Sequence, residues 1–128
     1  GLELVRSVPD MAAEFRHAAC SVSQCGYNTA LEIAMTGTPA LVVPYAEGRE
    51  DEQMNRARRL EKLGLVRVLD TTLLSESSLA ESIRALIDFR PRPAALDCRG
   101  AEVTRELIEE MLDENLRVTN NARLAVRP

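Results

Sequence analysis

The sequence contains no tryptophan, and aromatic residues make up only 3% of its 128 residues. Proteins that bind single-stranded nucleic acid stack the bases on aromatic side chains, which this chain hardly has. Positive charge is not in excess either, because 16 Lys and Arg stand against 20 Asp and Glu for a net charge of −4. Such a chain lacks the positive field that attracts a phosphate backbone. We therefore predict that nucleic acid is not a partner.

Metal ligands and long apolar runs are also scarce. The single histidine, His17, and the three cysteines, Cys20, Cys25 and Cys98, do not have the spacing of a four-ligand zinc site. No run approaches the roughly 20 apolar residues of a membrane span, and the N-terminus lacks the layout of a signal peptide. We therefore predict no metal, no cofactor, no membrane span in these residues, and a cytoplasmic location with reduced thiols. His17 has no carboxylate at a matching spacing, so we interpret it as a surface or packing residue.

What the sequence does contain is the composition of a folded domain, with 45% hydrophobic and 28% charged residues. Short β-branched runs alternate with longer runs of helical period, the pattern of βαβ units that bury a parallel sheet on both faces. The sequence therefore predicts an α/β, Rossmann-like fold, a parallel sheet with helices on both faces, over residues 1–114. A polar tail, 115–128, would follow. Because Gly1 leads straight into an apolar strand-like run, we interpret the domain as truncated at its N-terminal side.

The order of elements follows from the same patterns. Strands are predicted at residues 2–8, 20–23, 40–44 and 65–69. A first helix is predicted to open at Pro9 and Asp10, and further helices at about 29–35, 51–63, from Ser77 or Ser78 to 87, and 101–114. Gly37 and Gly64 are predicted to end the helices before them, since glycine suits the left-handed cap.

Three loops follow predicted strands, at residues 7–10, 23–29 and 44–53. Ligands of open parallel sheets bind beyond the carboxyl ends of the strands, so these loops are the candidate site. In Ser23-Gln-Cys-Gly-Tyr-Asn-Thr29, small and polar residues precede a helix whose N-terminal N–H groups attract phosphate. Gly26 would let a diphosphate approach the backbone. A plain strand-to-helix turn is an equal alternative.

Glu32 admits two interpretations. It lies three residues after Thr29, the spacing of a capping box in which its carboxylate accepts from the Thr29 N–H. Alternatively, the carboxylate accepts hydrogen bonds from the two vicinal hydroxyls of a ribose, as acidic residues do in dinucleotide-binding folds. The spacing alone favours the cap.

The third loop includes Glu47-Gly-Arg-Glu-Asp-Glu-Gln53, whose polar side chains could bind several sugar hydroxyls. The alternative is that acidic residues in a first helical turn offset the helix dipole. That alternative explains Glu50 and Asp51 well and Gln53 poorly. A basic cluster follows on the predicted helix, and we interpret it as a solvated face. It consists of Arg56, Arg58, Arg59 and Lys62.

Taken together, these motifs resemble the C-terminal, nucleotide-sugar-binding domain of GT-B fold glycosyltransferases. The likeness is strongest to the peptidoglycan UDP-N-acetylglucosamine transferase family and to related bacterial glycosyltransferases. It covers about two thirds of the chain, with the motifs in family order and at near family spacing. The matching segments are residues 8–15, 23–32, 38–44, 50–53 and 59–64.

The resemblance implies a nucleotide-diphosphate-sugar donor, a UDP-sugar in the first place, and assigns residues to its parts. Ser7 and Val8 would border the base, Cys25, Gly26 and neighbouring amides would hold the diphosphate, and Glu32 would take the ribose hydroxyls. Glu52 and Gln53 would face the sugar. The full predicted binding set is Ser7, Val8, Ser23, Gln24, Cys25, Gly26, Tyr27, Asn28, Thr29, Glu32, Pro44, Asp51, Glu52 and Gln53.

The implied function is donor binding in a hexosyltransferase whose acceptor site and catalytic base come from a separate N-terminal domain. No catalytic residue is assigned in this chain, and the chain alone is predicted to be inactive. Two alternatives stay open: half of a UDP-sugar 2-epimerase, and a non-catalytic α/β binding module. A receiver-like module would need clustered acids at the strand ends, whereas the predicted strands end in Val8, Ser23, Pro44 and Leu69.

Overall fold

The structure is a computed structural model that describes residues 1–45, 51–92, 97 and 99–124, with side chains up to residue 115. Residues 1–95 form one compact unit and residues 96–128 a second. The first unit holds, in chain order, α1 (Met11–His17), β1 (Ser21–Ser23), α2 (Tyr27–Thr36), β2 (Ala40–Val42), α3 (Glu52–Lys62), β3 (Arg67–Val68), a 3₁₀ turn (Thr71–Leu73) and α4 (Glu76–Leu86). The second holds α5 (Gly100–Leu124).

The three strands form a parallel sheet in the order β1-β2-β3, so β2 lies at its centre. Alternate residues of β2 point to opposite faces. Ala40 and Val42 join one buried cluster, with Phe15, Ile33 and Ala57 from α1, α2 and α3. Leu41 joins the other, with Leu69 and with Leu86 of α4. Both faces of the sheet are thus covered by helices, and the predicted α/β, Rossmann-like fold is confirmed.

Helix ends follow local chemistry. Asp10 caps α1, because its side chain accepts from the Ala13 N–H at 2.9 Å. Gly37 and Gly64 adopt φ of 66° and 75° after α2 and α3, the left-handed conformation predicted for both. α4 begins one to two residues earlier than predicted, because Ser75 and Ser78 exchange side-chain to backbone hydrogen bonds in a capping box.

The predicted strand at residues 2–8 is wrong. These residues form no strand, and Leu2 and Leu4 are 100% and 95% exposed. An apolar run becomes a strand only when a neighbouring strand pairs with it. Among the described residues β1 pairs only with β2, so its outer edge is not paired with this run.

The last helix is longer than its sequence period indicated. α5 continues to Leu124, through ten residues that were expected to belong to a polar tail. The division of the chain at residue 114 stays a prediction. Within its own unit, α5 carries exposed apolar side chains, namely Val103, Leu107, Ile108, Met111 and Leu112. None of the helices in the described ranges combines the length and hydrophobicity needed to cross a membrane.

Candidate functional site

The carboxyl ends of β1 and β2 lie side by side and lead into the two loops that the sequence singled out. Ser23 ends β1, and its carbonyl accepts from the Val43 N–H at 2.8 Å, just beyond β2. Pro44 then lies buried beside this edge. Residues 46–50 of the second loop, which include the predicted Glu47 and Glu50, lie outside the described residues. The described parts of both loops nevertheless meet at one edge of the sheet.

The N-terminus of α2 lies at this edge with its amides uncapped. Gly26 is the N-cap residue, and no side chain of the described residues caps the helix. The N–H groups of the first turn, on Tyr27, Asn28 and Thr29, have no partner inside a helix, and the dipole makes that end positive. A β-carbon built on Gly26 meets no atom of the described residues within 4 Å, so these residues leave the approach to the amides open. This arrangement can bind an anionic group such as a phosphate.

The peptide groups flanking Cys25 are held on both sides by α3. The Cys25 N–H donates to Oε1 of Gln53 at 3.1 Å, and the Cys25 carbonyl accepts from Nη1 of Arg56 at 2.8 Å. Because the Cys25 N–H is engaged in this way, the amides free for a ligand begin at Gly26. The loop before α2 is therefore fixed by side chains from a different helix.

Gln53 also holds the second loop. Its Oε1 accepts from the Tyr45 N–H at 3.1 Å, in addition to the Cys25 N–H. Two N–H donors at one atom identify that atom as the side-chain oxygen, so the amide nitrogen of Gln53 points elsewhere. One side chain thus ties the loop after β1 to the loop after β2.

Arg56 contradicts the interpretation of the basic cluster as a solvated face. Its side chain is only 21% exposed, and it ion-pairs with Glu52 as well as donating to Cys25. Its guanidinium also lies 5.5 Å from the centre of the Tyr27 ring, a cation–π distance. The interpretation holds for the exposed Arg58, Arg59 and Lys62. It fails for Arg56 because this residue lies on the helix face that turns towards the loop before α2.

Glu32 does not form the predicted capping box. α2 begins at Tyr27, so Thr29 is already inside the helix and cannot be its N-cap. Glu32 lies one turn after Asn28, on the same face of α2. It is half-buried, and it makes no hydrogen bond or ion pair with any described residue. A carboxylate in this state has its acceptor oxygens available for a ligand.

Two serine hydroxyls of β1 are buried without a hydrogen-bond partner among the described residues, those of Ser21 and Ser23. Buried hydroxyls are nearly always satisfied by protein, water or ligand. Ser21 lies at the amino end of the strand, away from the site. Ser23 lies at the carboxyl end, where a bound group could satisfy its hydroxyl.

The predicted base-binding residues lie in the extended segment before α1. Ser7 and Val8 line a surface cavity of about 320 Å³, together with Glu3, Val5, Pro9 and Glu14. The lining residues of this cavity all precede or lie in α1, and none comes from the loops after β1 and β2. Of the residues predicted at the carboxyl edge of the sheet, four are exposed, namely Gln24, Asn28, Asp51 and Glu52.

The Cys25 thiol is not a nucleophile in this setting. It is fully buried, and burial raises its pKa, while the nearby Arg56 guanidinium lowers the pKa and opposes that effect. The net direction is upwards, so the thiol is neutral near pH 7. A reactive cysteine needs the opposite shift.

Sequence reasoning missed Arg56 and Tyr45 as parts of this site. Arg56 lies three residues after Gln53 and four after Glu52, which places it on the same helix face as both. That spacing was a usable signal for Arg56. The part of Tyr45 that matters is its backbone N–H, which no side-chain pattern reveals. Within the described residues no cluster of three or more potential metal ligands is found.

Comparison with known sequences identifies the family. The sequence model of the family described as glycosyltransferase family 28 C-terminal domain matches residues 2–114. The chain belongs to this family. The resemblance drawn from the motifs to GT-B glycosyltransferase C-terminal domains is thereby confirmed, and family 28 membership agrees with the parallel sheet and its covering helices.

Curated relatives of this family 28 domain carry one common name. It is UDP-N-acetylglucosamine–N-acetylmuramyl-(pentapeptide) pyrophosphoryl-undecaprenol N-acetylglucosamine transferase. The relative from Methylococcus capsulatus is 32% identical over 98 residues, which is 77% of this chain and 28% of that protein. The relative from Syntrophotalea carbinolica is 31% identical over 118 residues, 92% of this chain and 32% of that protein.

A third relative, from Chromohalobacter salexigens, is 33% identical over 110 residues, which is 86% of this chain and 30% of that protein. The chain therefore spans about a third of the length of the curated relatives that it matches. What these comparisons establish is that the chain is a C-terminal domain of glycosyltransferase family 28.

Proposed function

We propose that this domain binds the UDP moiety of a UDP-sugar and positions it for a hexosyltransferase reaction. The observation that carries the proposal is the uncapped N-terminus of α2 at the carboxyl edge of the sheet, open at Gly26, in a family 28 domain. Phosphate oxygens would accept from the free amides of the first turn, where the helix dipole favours negative charge. The same groups would stabilise the charge that develops on the leaving diphosphate, without a metal.

The rest of the donor is assigned to the side chains around that helix end. The free carboxylate of Glu32 accepts from the ribose hydroxyls, and the cavity beside Ser7 and Val8 takes the base. Glu52 and the amide nitrogen of Gln53 face the sugar. The half-buried, unpartnered state of Glu32 supports the ribose assignment, because such a carboxylate gains from two added donors.

A titration of the chain with nucleotides tests the proposal. We expect saturable calorimetric binding of UDP and of UDP-sugars such as UDP-N-acetylglucosamine and UDP-glucose. Glu32→Ala should weaken UDP binding by roughly ten- to hundredfold, the loss of hydrogen bonds to a charged group. Binding of dTDP should fall much less, because its deoxyribose lacks the 2′-hydroxyl.

Glu81→Ala, at an exposed position on α4, is the matched control and should bind UDP like the parent chain. The proposal fails if no nucleotide binds, or if Glu32→Ala and Glu81→Ala bind UDP equally well. Thermal melting of each variant shows whether the fold is intact.

Sugar transfer itself needs more than this domain. The named relatives are about three times as long as the chain, and we propose that an N-terminal domain of the same protein supplies the acceptor site and the catalytic base. A location in the cytoplasm, where UDP-sugars are made, fits this proposal. The preferred sugar would be ranked by the same titration.

A further inference from the structure

We propose that Arg56 and Gln53 are positioning residues, which set the direction in which the loop before α2 presents its amides to the diphosphate. The proposal rests on the proposed function and adds a specific mechanism to it. Neither residue needs to touch the phosphate. The geometry points instead to a clamp, formed by α3, on the two peptide groups that flank Cys25.

The first step is the fixed position of Cys25. Its N–H donates to Gln53 and its carbonyl accepts from Arg56, at 3.1 and 2.8 Å. Its side chain is fully buried in the core cluster below the sheet edge. With the side chain and both backbone polar groups held, the loop cannot rotate at this residue.

The second step is what a held carbonyl does to the next amide. The carbonyl of Cys25 and the N–H of Gly26 belong to one planar trans peptide, so they point in opposite directions. Arg56 draws the carbonyl towards α3, which directs the Gly26 N–H away from α3. No partner for that N–H is found among the described residues. The Gly26 N–H is therefore turned out for a ligand, alongside the amides of Tyr27 and Asn28.

The third step concerns charge. Arg56 is ion-paired with Glu52, which offsets its positive charge. Arg58, two residues along the same helix, carries the same charge and is paired with Glu61 at 2.9 Å. Arg58 makes no hydrogen bond to the loop before α2 within the described residues. Arg58→Met therefore controls for the loss of one positive charge from α3, whereas Arg56 alone of the two donates to the loop before α2 within the described residues.

Four variants of the full 128-residue chain separate these roles, with UDP as the probe. Arg56→Met keeps the length of the side chain but removes the donor, and should weaken UDP binding by roughly tenfold. Arg58→Met should bind UDP within about twofold of the parent. Arg56→Lys keeps a donor and should recover part of the loss. Gln53→Met should release the Cys25 and Tyr45 amides, seen as faster amide hydrogen exchange at both residues.

Gln53→Glu is the rescue variant, because a carboxylate oxygen still accepts from both N–H groups. It should restore slow exchange at Cys25 and Tyr45 even if added charge alters UDP affinity. This exchange measurement needs no ligand, so it tests the clamp even where a variant binds poorly.

The positioning role is overturned if Arg56→Met binds UDP like the parent, or if Arg58→Met is weakened equally. It is also overturned if Gln53→Met leaves exchange at Cys25 and Tyr45 unchanged. Failure of the parent chain to bind UDP would overturn the proposed function as well. Parent binding with an unaffected Arg56→Met would overturn the clamp alone, so the two failures are distinguishable.

Discussion

At the scale of single residues, Gly26 has unstrained backbone angles, φ of −60° and ψ of 158°, and open space around its α-carbon. An alanine would therefore fit the folded chain without strain or collision. We expect Gly26→Ala to change the melting temperature little, because alanine restricts the unfolded chain but is a poorer N-cap residue than glycine. UDP affinity should fall several-fold, because the added methyl group lies where the diphosphate approaches the backbone.

The measurement is calorimetric titration with UDP beside a melting curve. An unchanged affinity for UDP would show that ligand binding does not require a glycine at position 26. Gly37→Ala, at the opposite end of α2, is a control that should destabilise the fold and leave binding of the remaining folded protein intact.

Cys25 offers a second prediction at this scale. Because burial raises the pKa of its thiol, the folded pKa lies above that of the unfolded chain, which is about 8.5. The contribution to stability is then fully present below about pH 8.5 and is lost as the pH rises through the folded pKa. Urea unfolding should show a free energy of unfolding that declines above about pH 8.5. The decline should be smaller in Cys25→Ala, which has no thiol to ionise.

Alkylation checks the same thiol independently. Iodoacetamide at neutral pH should label Cys20, which is half-buried, before Cys25, as located by peptide mass spectrometry. Fast labelling of Cys25 in the folded chain would contradict both its burial and the raised pKa.

How far the site was predictable differs from residue to residue. Gly26 and Glu32 were singled out from spacing, because a strand, a glycine and a helix start lie next to each other in the chain. The capping box predicted for Glu32 is ruled out only by the helix start, which lies two residues earlier than predicted, and the ribose interpretation stays a proposal. Arg56 was misread because its partner, the carbonyl of Cys25, lies 31 residues away in sequence. Long-range contacts to the backbone leave no pattern in the side chains.

At the scale of elements, the two left-handed glycines end α2 and α3 in the same way but with different surroundings. A β-carbon on Gly37 would meet nothing within 4 Å, whereas one on Gly64 would lie 2.9 Å from Cδ of Arg92. Either alanine costs about 1–2 kcal/mol for the left-handed conformation. Gly64→Ala should cost roughly 0.5–1 kcal/mol more, because Arg92 must leave its rotamer.

Urea denaturation of the two variants measures the difference. In the double variant Gly64→Ala with Arg92→Ala, the extra loss in the free energy of unfolding should disappear. The total loss should then equal that of Gly37→Ala. Equal costs for the two single variants would show that Arg92 moves aside freely.

The elements that sequence predicted well have their signals within a few residues. Asp10 and the left-handed glycines bound helices by contacts inside their own turns, and Ala40–Val42 is apolar on both faces of the sheet. The run at residues 2–8 failed because a strand depends on a neighbour that the run itself does not encode. α5 extends to Leu124, beyond the residues with an apolar period, and the sequence from 115 to 127 contains no glycine or proline that would end the helix.

At the scale of the whole molecule, one arrangement explains both stability and the site. The central strand buries Ala40 and Val42 on one face and Leu41 on the other, so a hydrophobic cluster stabilises each face of the sheet. The chain enters a parallel sheet at the amino ends of its strands and leaves it at their carboxyl ends. Because α2 follows β1 and α3 follows β2, both helices begin at the carboxyl edge. The groups that are proposed to bind the donor therefore lie on helices that pack against the core, at the edge of the sheet.

In the proposed function, donor binding and transfer belong to different domains, and the last prediction follows from it. The first-turn amides of α2, Glu32 and Gln53 are proposed to hold the nucleotide, and neither sequence nor structure assigns a general base among the described residues. We expect the 128-residue chain to bind UDP-N-acetylglucosamine in a calorimeter while releasing no UDP in a coupled assay, with or without a lipid-linked acceptor. A longer chain that includes the proposed N-terminal domain should release UDP. Transfer by the isolated chain at a rate comparable with that of the longer protein would show that the reacting groups lie within these residues.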